Sequence, residues 1–136
     1  MNRLIVFVFI SAMCFGLNEG CKKNHVVFNN QLITSRSNLL IDCSDNRGVF
    51  TSSLLSFDAN PFDIAFGDYN WPKDTRWSCT ISWGPNNMYY FDLQAYHTNF
   101  QRCGQLRLWI AKDNGIWFTR SYENPAGLVL PWKTRA

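Results

Sequence analysis

The chain has 136 residues, 46% of them hydrophobic and 16% aromatic, which is long enough to bury a real core but small enough for covalent staples to matter. Thirteen Lys and Arg against ten Asp and Glu leave a net charge of +3, with no basic run longer than Lys22-Lys23, and this argues against a nucleic-acid partner. Repeats, low-complexity stretches and linkers are absent from the sequence, so nothing divides it into several domains.

Residues 1–20, MNRLIVFVFISAMCFGLNEG, place Arg3 before an uncharged run from Leu4 to Leu17. That run falls short of the ~20 apolar residues needed to cross a bilayer, has no polar face at the helical period, and gives way at once to Asn18, Glu19, Lys22 and Lys23. It reads as a secretory signal peptide cleaved after Gly16 or Gly20, which predicts a secreted protein without membrane insertion and one mature domain at residues 21–136.

Removing the signal also removes Cys14 and leaves Cys21, Cys43, Cys79 and Cys103. An even number of cysteines in an oxidising compartment predicts two disulfides, each worth ~2–4 kcal/mol, and three pairings are open. There is no Cys-x-x-Cys, and His25 and His97 do not stand at zinc-site spacing from any cysteine, so neither a metal nor another cofactor is expected.

The mature chain then alternates short runs rich in β-branched and aromatic residues with Asn, Asp, Gly, Pro and Ser. Strands are predicted at 25–31, 38–43, 52–57, 61–67, 75–83, 88–96, 105–112 and 115–122, with no ten-residue stretch at the helical period. Trp77, Cys79 and Ile81 would share one face, as would Tyr89, Phe91 and Leu93. About eight strands with turns at intervals of roughly 8–12 residues predict an all-β, antiparallel sandwich in two sheets. For the last hairpin, a three-residue loop Asp113-Asn114-Gly115 sets Ile110 opposite Phe118 and Lys112 opposite Ile116. Leu106, Leu108, Ile110, Ile116 and Phe118 would then be buried, with Arg107, Trp109 and Trp117 on the other face.

Hydrolase, metalloprotease, phosphate-loop and EF-hand motifs are missing from the sequence. His25 and His97 lie in polar settings, and the carboxylate pairs Asp58/Asp63 and Asp68/Asp74 fall on turns, where Asp caps backbone N–H groups. No catalytic residue is therefore assigned. The segments 68–73 and 97–102 are too polar for the core and concentrate groups that bind without chemistry: Asp68, Tyr69, Trp71, Lys73, His97, Asn99 and Arg102. They are the predicted recognition loops. A carbohydrate-binding protein would use the same aromatics as platforms.

Taken in order, HVVFNNQL, LLIDCSDNRGVF, FDIAFGD, TRWSCTISWG, MYYFDLQAY, RCGQLRLWIAKDNGIWFTR and a closing PWK make the mature chain resemble the plant self-incompatibility protein family, the S-protein homologues. The most specific pieces are Asp42 to Gly48, Trp77 to Cys79, and Cys103 with Trp109 and Gly115. Two departures stand out: Asp42 where many members have His, and Arg107 where many have a second cysteine. With that local partner missing, the resemblance implies Cys21 with Cys103 and Cys43 with Cys79. It also implies a two-sheet sandwich and a secreted, monomeric recognition ligand for a cell-surface receptor protein, its founding members being pistil proteins recognised at the pollen surface. An apoplastic carbohydrate-binding or defence protein and a small secreted hydrolase are the alternatives.

Overall fold

A computed structural model describes residues 21–70 and 72–135, with Val129 described by its backbone alone. The signal peptide expected at 1–20, and Trp71, lie outside the described residues.

Among the described residues ten strands form two five-stranded sheets. They are β1 (Asn24–Gln31), β2 (Leu39–Asp45), β3 (Phe50–Leu55), β4 (Phe62–Phe66), β5 (Thr75–Trp83), β6 (Tyr89–Thr98), β7 (Leu106–Lys112), β8 (Gly115–Thr119), β9 (Gly127–Leu130) and β10 (Lys133–Thr134). One sheet runs β4-β1-β7-β8-β9 and the other β10-β6-β5-β2-β3. The eight predicted segments each hold a strand. The two added ones, β9 and β10, are short edge strands whose sequence carries too few residues for a period of two to register.

All pairings are antiparallel except β1 with β7, which lie parallel with Val27 opposite Leu108. Parallel strands need a long crossover, and β2 to β6 intervene between these two, four of them in the second sheet. Both are also buried on both faces, as parallel pairs usually are. Val26, Phe28, Trp109 and Ala111 point between the sheets, while Val27, Leu108 and Ile110 form a second cluster on the outer side, packed by Leu106, Trp117 and Ala126.

The inter-sheet core contains Trp77, Cys79 and Ile81 on β5 and Leu93, Ala95 and Tyr96 on β6. Ala95 and Tyr96 are both inward because a bulge pairs Trp77 with Tyr96 but Ser78 with Gln94. Trp109 Nε1–H donates across the sheets to the Ala95 carbonyl at 3.3 Å. At the far end Trp83 stacks on Tyr89, centroids 4.4 Å apart, and meets Trp132 edge-on. Trp132 in turn donates to the Lys112 carbonyl at 2.7 Å, which explains the value of the closing Pro-Trp-Lys.

Cys43 and Cys79 are bridged across adjacent β2 and β5, and Cys21 is bridged to Cys103 ahead of β7. The hairpin β7–β8 departs from expectation. Lys112 pairs with Gly115 and Ile110 with Trp117, so the loop is only Asp113-Asn114. Trp109 thus joins Phe118, Ala111 and Ile116 in the core, and Trp117 turns outward beside Ile110. The predicted face of Arg107, Trp109 and Trp117 does not exist. The physical reason lies in tertiary contacts: Asp113 accepts N–H bonds from Thr34 and Ser35, which tie down the loop, and Gly115 packs directly under β9.

Candidate functional site

Antiparallel alternation puts the β2–β3 turn, the β4–β5 loop, the β6–β7 loop and the β8–β9 loop at one end of the sandwich. The two predicted recognition loops are therefore neighbours, and Asp68 joins them. Its Oδ2 accepts from Tyr96 O–H at 3.0 Å and from the Arg102 backbone N–H at 2.7 Å. Asp68 is only 9% exposed, so it positions the loops and is not a contact residue for a partner. Its carboxylate and burial together push the Tyr96 hydroxyl well above the usual tyrosine range, burial being the larger cause.

Tyr69 is half-buried. Its backbone N–H donates to Thr75 Oγ1 at 2.7 Å, its hydroxyl donates to Asp45 Oδ2, and the Arg47 guanidinium lies 3.7 Å above its ring centroid. Burial works to raise the Asp45 carboxyl, but bonds from Tyr69 O–H and from the Val49 and Arg47 N–H groups outweigh it, helped by the Arg47 charge, and hold it below the ordinary carboxylate range.

His97 Nε2 lies 3.2 Å from Asp74 Oδ2, which also accepts from Arg76 Nη2 at 3.2 Å. Asn46 donates to the Asp74 carbonyl and side chain, joining the β2–β3 turn to the same cluster. Lys73, His97, Asn99 and Arg102 are exposed. The structure thus brings His97, Asn99 and Arg102 to one cleft, linked through buried Asp68 to the loop that carries Tyr69 and exposed Lys73.

Sequence reasoning missed Asp45, Arg47 and Arg76 at this end, gave Asp74 only as a turn cap, and placed Arg107 on the wrong surface. Arg107 is 8% exposed and lines, with Arg102, Arg120, His97, Thr98, Asn99 and Phe100, a cleft of about 300 Å³. Its guanidinium stands 5.2 Å from the Tyr96 ring centroid. The signal available in the sequence was the clustering of Arg102, Arg107 and Arg120 around β7 and β8, which only the parallel β1–β7 pairing turns toward the sandwich end.

His25, by contrast, pairs with Asp63 at 2.8 Å on the first sheet, and Asp58 has a left-handed backbone. Among the described residues no three His, Cys, Asp or Glu side chains gather as a metal-binding group, and no helix is long and apolar enough to cross a membrane. A larger groove, about 840 Å³, runs over the outer face of the second sheet, lined by hydroxyl, amide and carboxylate groups such as Ser52, Thr80, Asp92 and Gln94.

Fold and site together define a small, disulfide-stapled β-sandwich with a cluster of polar loops at one end. A family profile described as plant self-incompatibility protein S1 matches residues 25–132, and the chain belongs to that family. S-protein homolog 25 of Arabidopsis thaliana is 41% identical, covering 97% of this chain and 98% of that protein, and S-protein homolog 30 of the same plant is 41% identical over 92% and 98%. A solved structure of SPH (Self-Incompatibility Protein Homologue) proteins, described as a widespread family of small, highly stable, secreted plant proteins, superposes with a TM-score of 0.65 at 28% identity. It covers 85% of this chain and 99% of that one. The chain is accordingly a small secreted protein of the S-protein homologue kind.

Proposed function

We propose that this protein is an extracellular recognition ligand without enzymatic activity, which binds a cell-surface receptor protein as a monomer through the loops at 68–73 and 97–102. One observation carries the reading: Asp68 locks the two loops into a single surface, so that exposed Lys73, His97, Asn99 and Arg102 are presented from a rigid scaffold. Residues 1–20 act as the signal peptide, and the secreted product starts near Leu17 or Cys21; it carries no N-glycan because the chain has no Asn-x-Ser/Thr sequence.

The test is cell-surface binding of labelled protein. Trp71→Ala with Lys73→Ala, or His97→Ala with Arg102→Ala, should weaken saturable binding to plant cells at least tenfold, ~1.4 kcal/mol, with secretion and melting temperature nearly unchanged. Full binding by both double variants would refute the assignment.

A second reading, carbohydrate binding, is favoured by the hydroxyl- and carboxylate-lined groove on the second sheet. There Ser52 Oγ donates to Asp42 and Thr80 Oγ1 to Asp92, both at 2.7 Å, a preset array of the kind that suits sugar hydroxyls. Glycan-array binding lost in Asp92→Asn but kept in the loop variants would select it over the first.

A further inference from the structure

The cleft between the β6–β7 loop and the start of β7 holds three guanidinium groups whose charge the fold does not balance. Arg107 lies on the inward face of β7, beside Val26 of β1, and is more than nine-tenths buried. Its Nη1 donates to the Leu106 carbonyl at 2.9 Å and reaches Gln105 Oε1 at 3.5 Å. Among the described residues no carboxylate pairs with it, and none pairs with Arg102 or Arg120.

A buried cation without a counter-charge is costly, and like charges beside it add to the cost. Burial, then the Arg120 charge, hold the Arg107 guanidinium below its ordinary range, with Arg102 acting in the same direction. Asp68 is the one carboxylate acting on it favourably; its Oδ2 accepts from Tyr96 O–H and the Arg102 N–H, and its Oδ1 makes no hydrogen bond to any of the three guanidinium groups. His97 is committed to Asp74. Three guanidinium charges against one shared carboxylate leave a surplus of two positive charges in a cleft of about 300 Å³.

We propose that this cleft is an anion-binding site for a doubly charged tetrahedral oxyanion, a phosphate or sulfate group, held by Arg102, Arg107 and Arg120. Guanidinium groups suit such an anion because each presents paired N–H donors to two oxygens. Arg107 supplies the buried floor, its remaining donors having no protein acceptor among the described residues, while exposed Arg102 and Arg120 form the walls. Phe100, 66% exposed at the rim, gives an apolar contact for whatever carries the group. The biological role of the site rests on the recognition reading above, since the same β6–β7 loop serves both.

The test uses the full secreted protein in chloride at constant ionic strength, titrated with sodium sulfate, sodium phosphate or phenyl phosphate and followed by calorimetry and melting temperature. Saturable binding at one site with a rise in melting temperature is expected. Arg120→Ala, an exposed position, should weaken it at least tenfold, Arg107→Gln at least as much, and Arg36→Ala at the opposite end should leave it unchanged. Phenyl phosphate binding more tightly than inorganic phosphate would assign the group to an ester on a partner, and the reverse order to a free ion. Absence of saturable binding beyond chloride, or wild-type affinity in Arg120→Ala, would overturn the proposal. Because the titration uses no receptor, its failure leaves the loop reading standing, and failure of the loop variants in cell binding leaves the anion site standing.

Discussion

Asp45 shows how a single side chain organises the β2–β3 turn. Its Oδ1 accepts the N–H groups of Arg47 and Val49, both at 2.9 Å, and its Oδ2 accepts from Tyr69. All of these bonds favour the ionised form, so the folded pKa lies below the unfolded one, about 3.9. The stability this carboxylate contributes is therefore fully present above the unfolded pKa and is lost as pH falls through the folded value. Asp45→Asn should be less stable than the wild type at pH 7, and the gap should narrow as the pH falls below ~4; urea denaturation at a series of pH values checks it. A gap independent of pH would mean that the carboxylate acts through packing alone. Asp68, also on a loop, differs in kind: the polarity of segment 68–73 placed it among the recognition residues, whereas it is buried against Tyr96 of β6 and the Arg102 N–H.

At the scale of elements, the β7–β8 hairpin was legible as a hairpin but not in register. The Asn114-Gly115 dipeptide is a strong turn signal, yet Gly115 serves the sheet more than the turn. With φ of 150°, it is the first residue of β8, and a Cβ there would stand 2.8 Å from the Leu130 carbonyl oxygen and 2.7 Å from Leu128 Cδ1. Gly115→Ala should destabilise by more than ~1 kcal/mol, since the added methyl meets backbone in a left-handed conformation. Gly67→Ala has open space around it and should change stability by less than about 0.5 kcal/mol. Equilibrium unfolding of the pair checks this, and equal losses would show that glycine flexibility, not the close approach of β9, sets the requirement.

Across the whole molecule, the two bridges act on different parts. Cys43–Cys79 lies inside the second sheet, whereas Cys21–Cys103 ties the N-terminal segment to the β6–β7 loop, reinforced by Asn24, which donates to the Arg102 carbonyl and accepts from the Gln105 N–H. Cys21–Cys103 spans 82 residues against 36 for the other, so its loss should relax the unfolded chain more. Cys21→Ser with Cys103→Ser should cost ~2–5 kcal/mol in denaturant and loosen residues 99–105 in hydrogen exchange, leaving the second sheet protected. Non-reduced peptide mapping of the wild type should join Cys21 to Cys103; a Cys79–Cys103 peptide would refute the pairing.

The all-β architecture and eight of the ten strands were readable because strands announce themselves locally, through alternation as in Trp77, Cys79 and Ile81 and through the turn residues between them. The position of the two polar loops was readable for the same reason, since polarity and length are properties of a segment. Which loops meet, which face of β7 is inward and where the unbalanced charge sits were not, because each depends on partners far away in the chain. The β1–β7 pairing joins residues about eighty apart and places Arg107 beside Val26; the bulge at Trp77/Ser78 turns Tyr96 inward beneath the Arg107 guanidinium. A one-residue change of register exchanges the two faces of a strand, and the energy that selects the register comes from packing against the opposite sheet, which no local window contains.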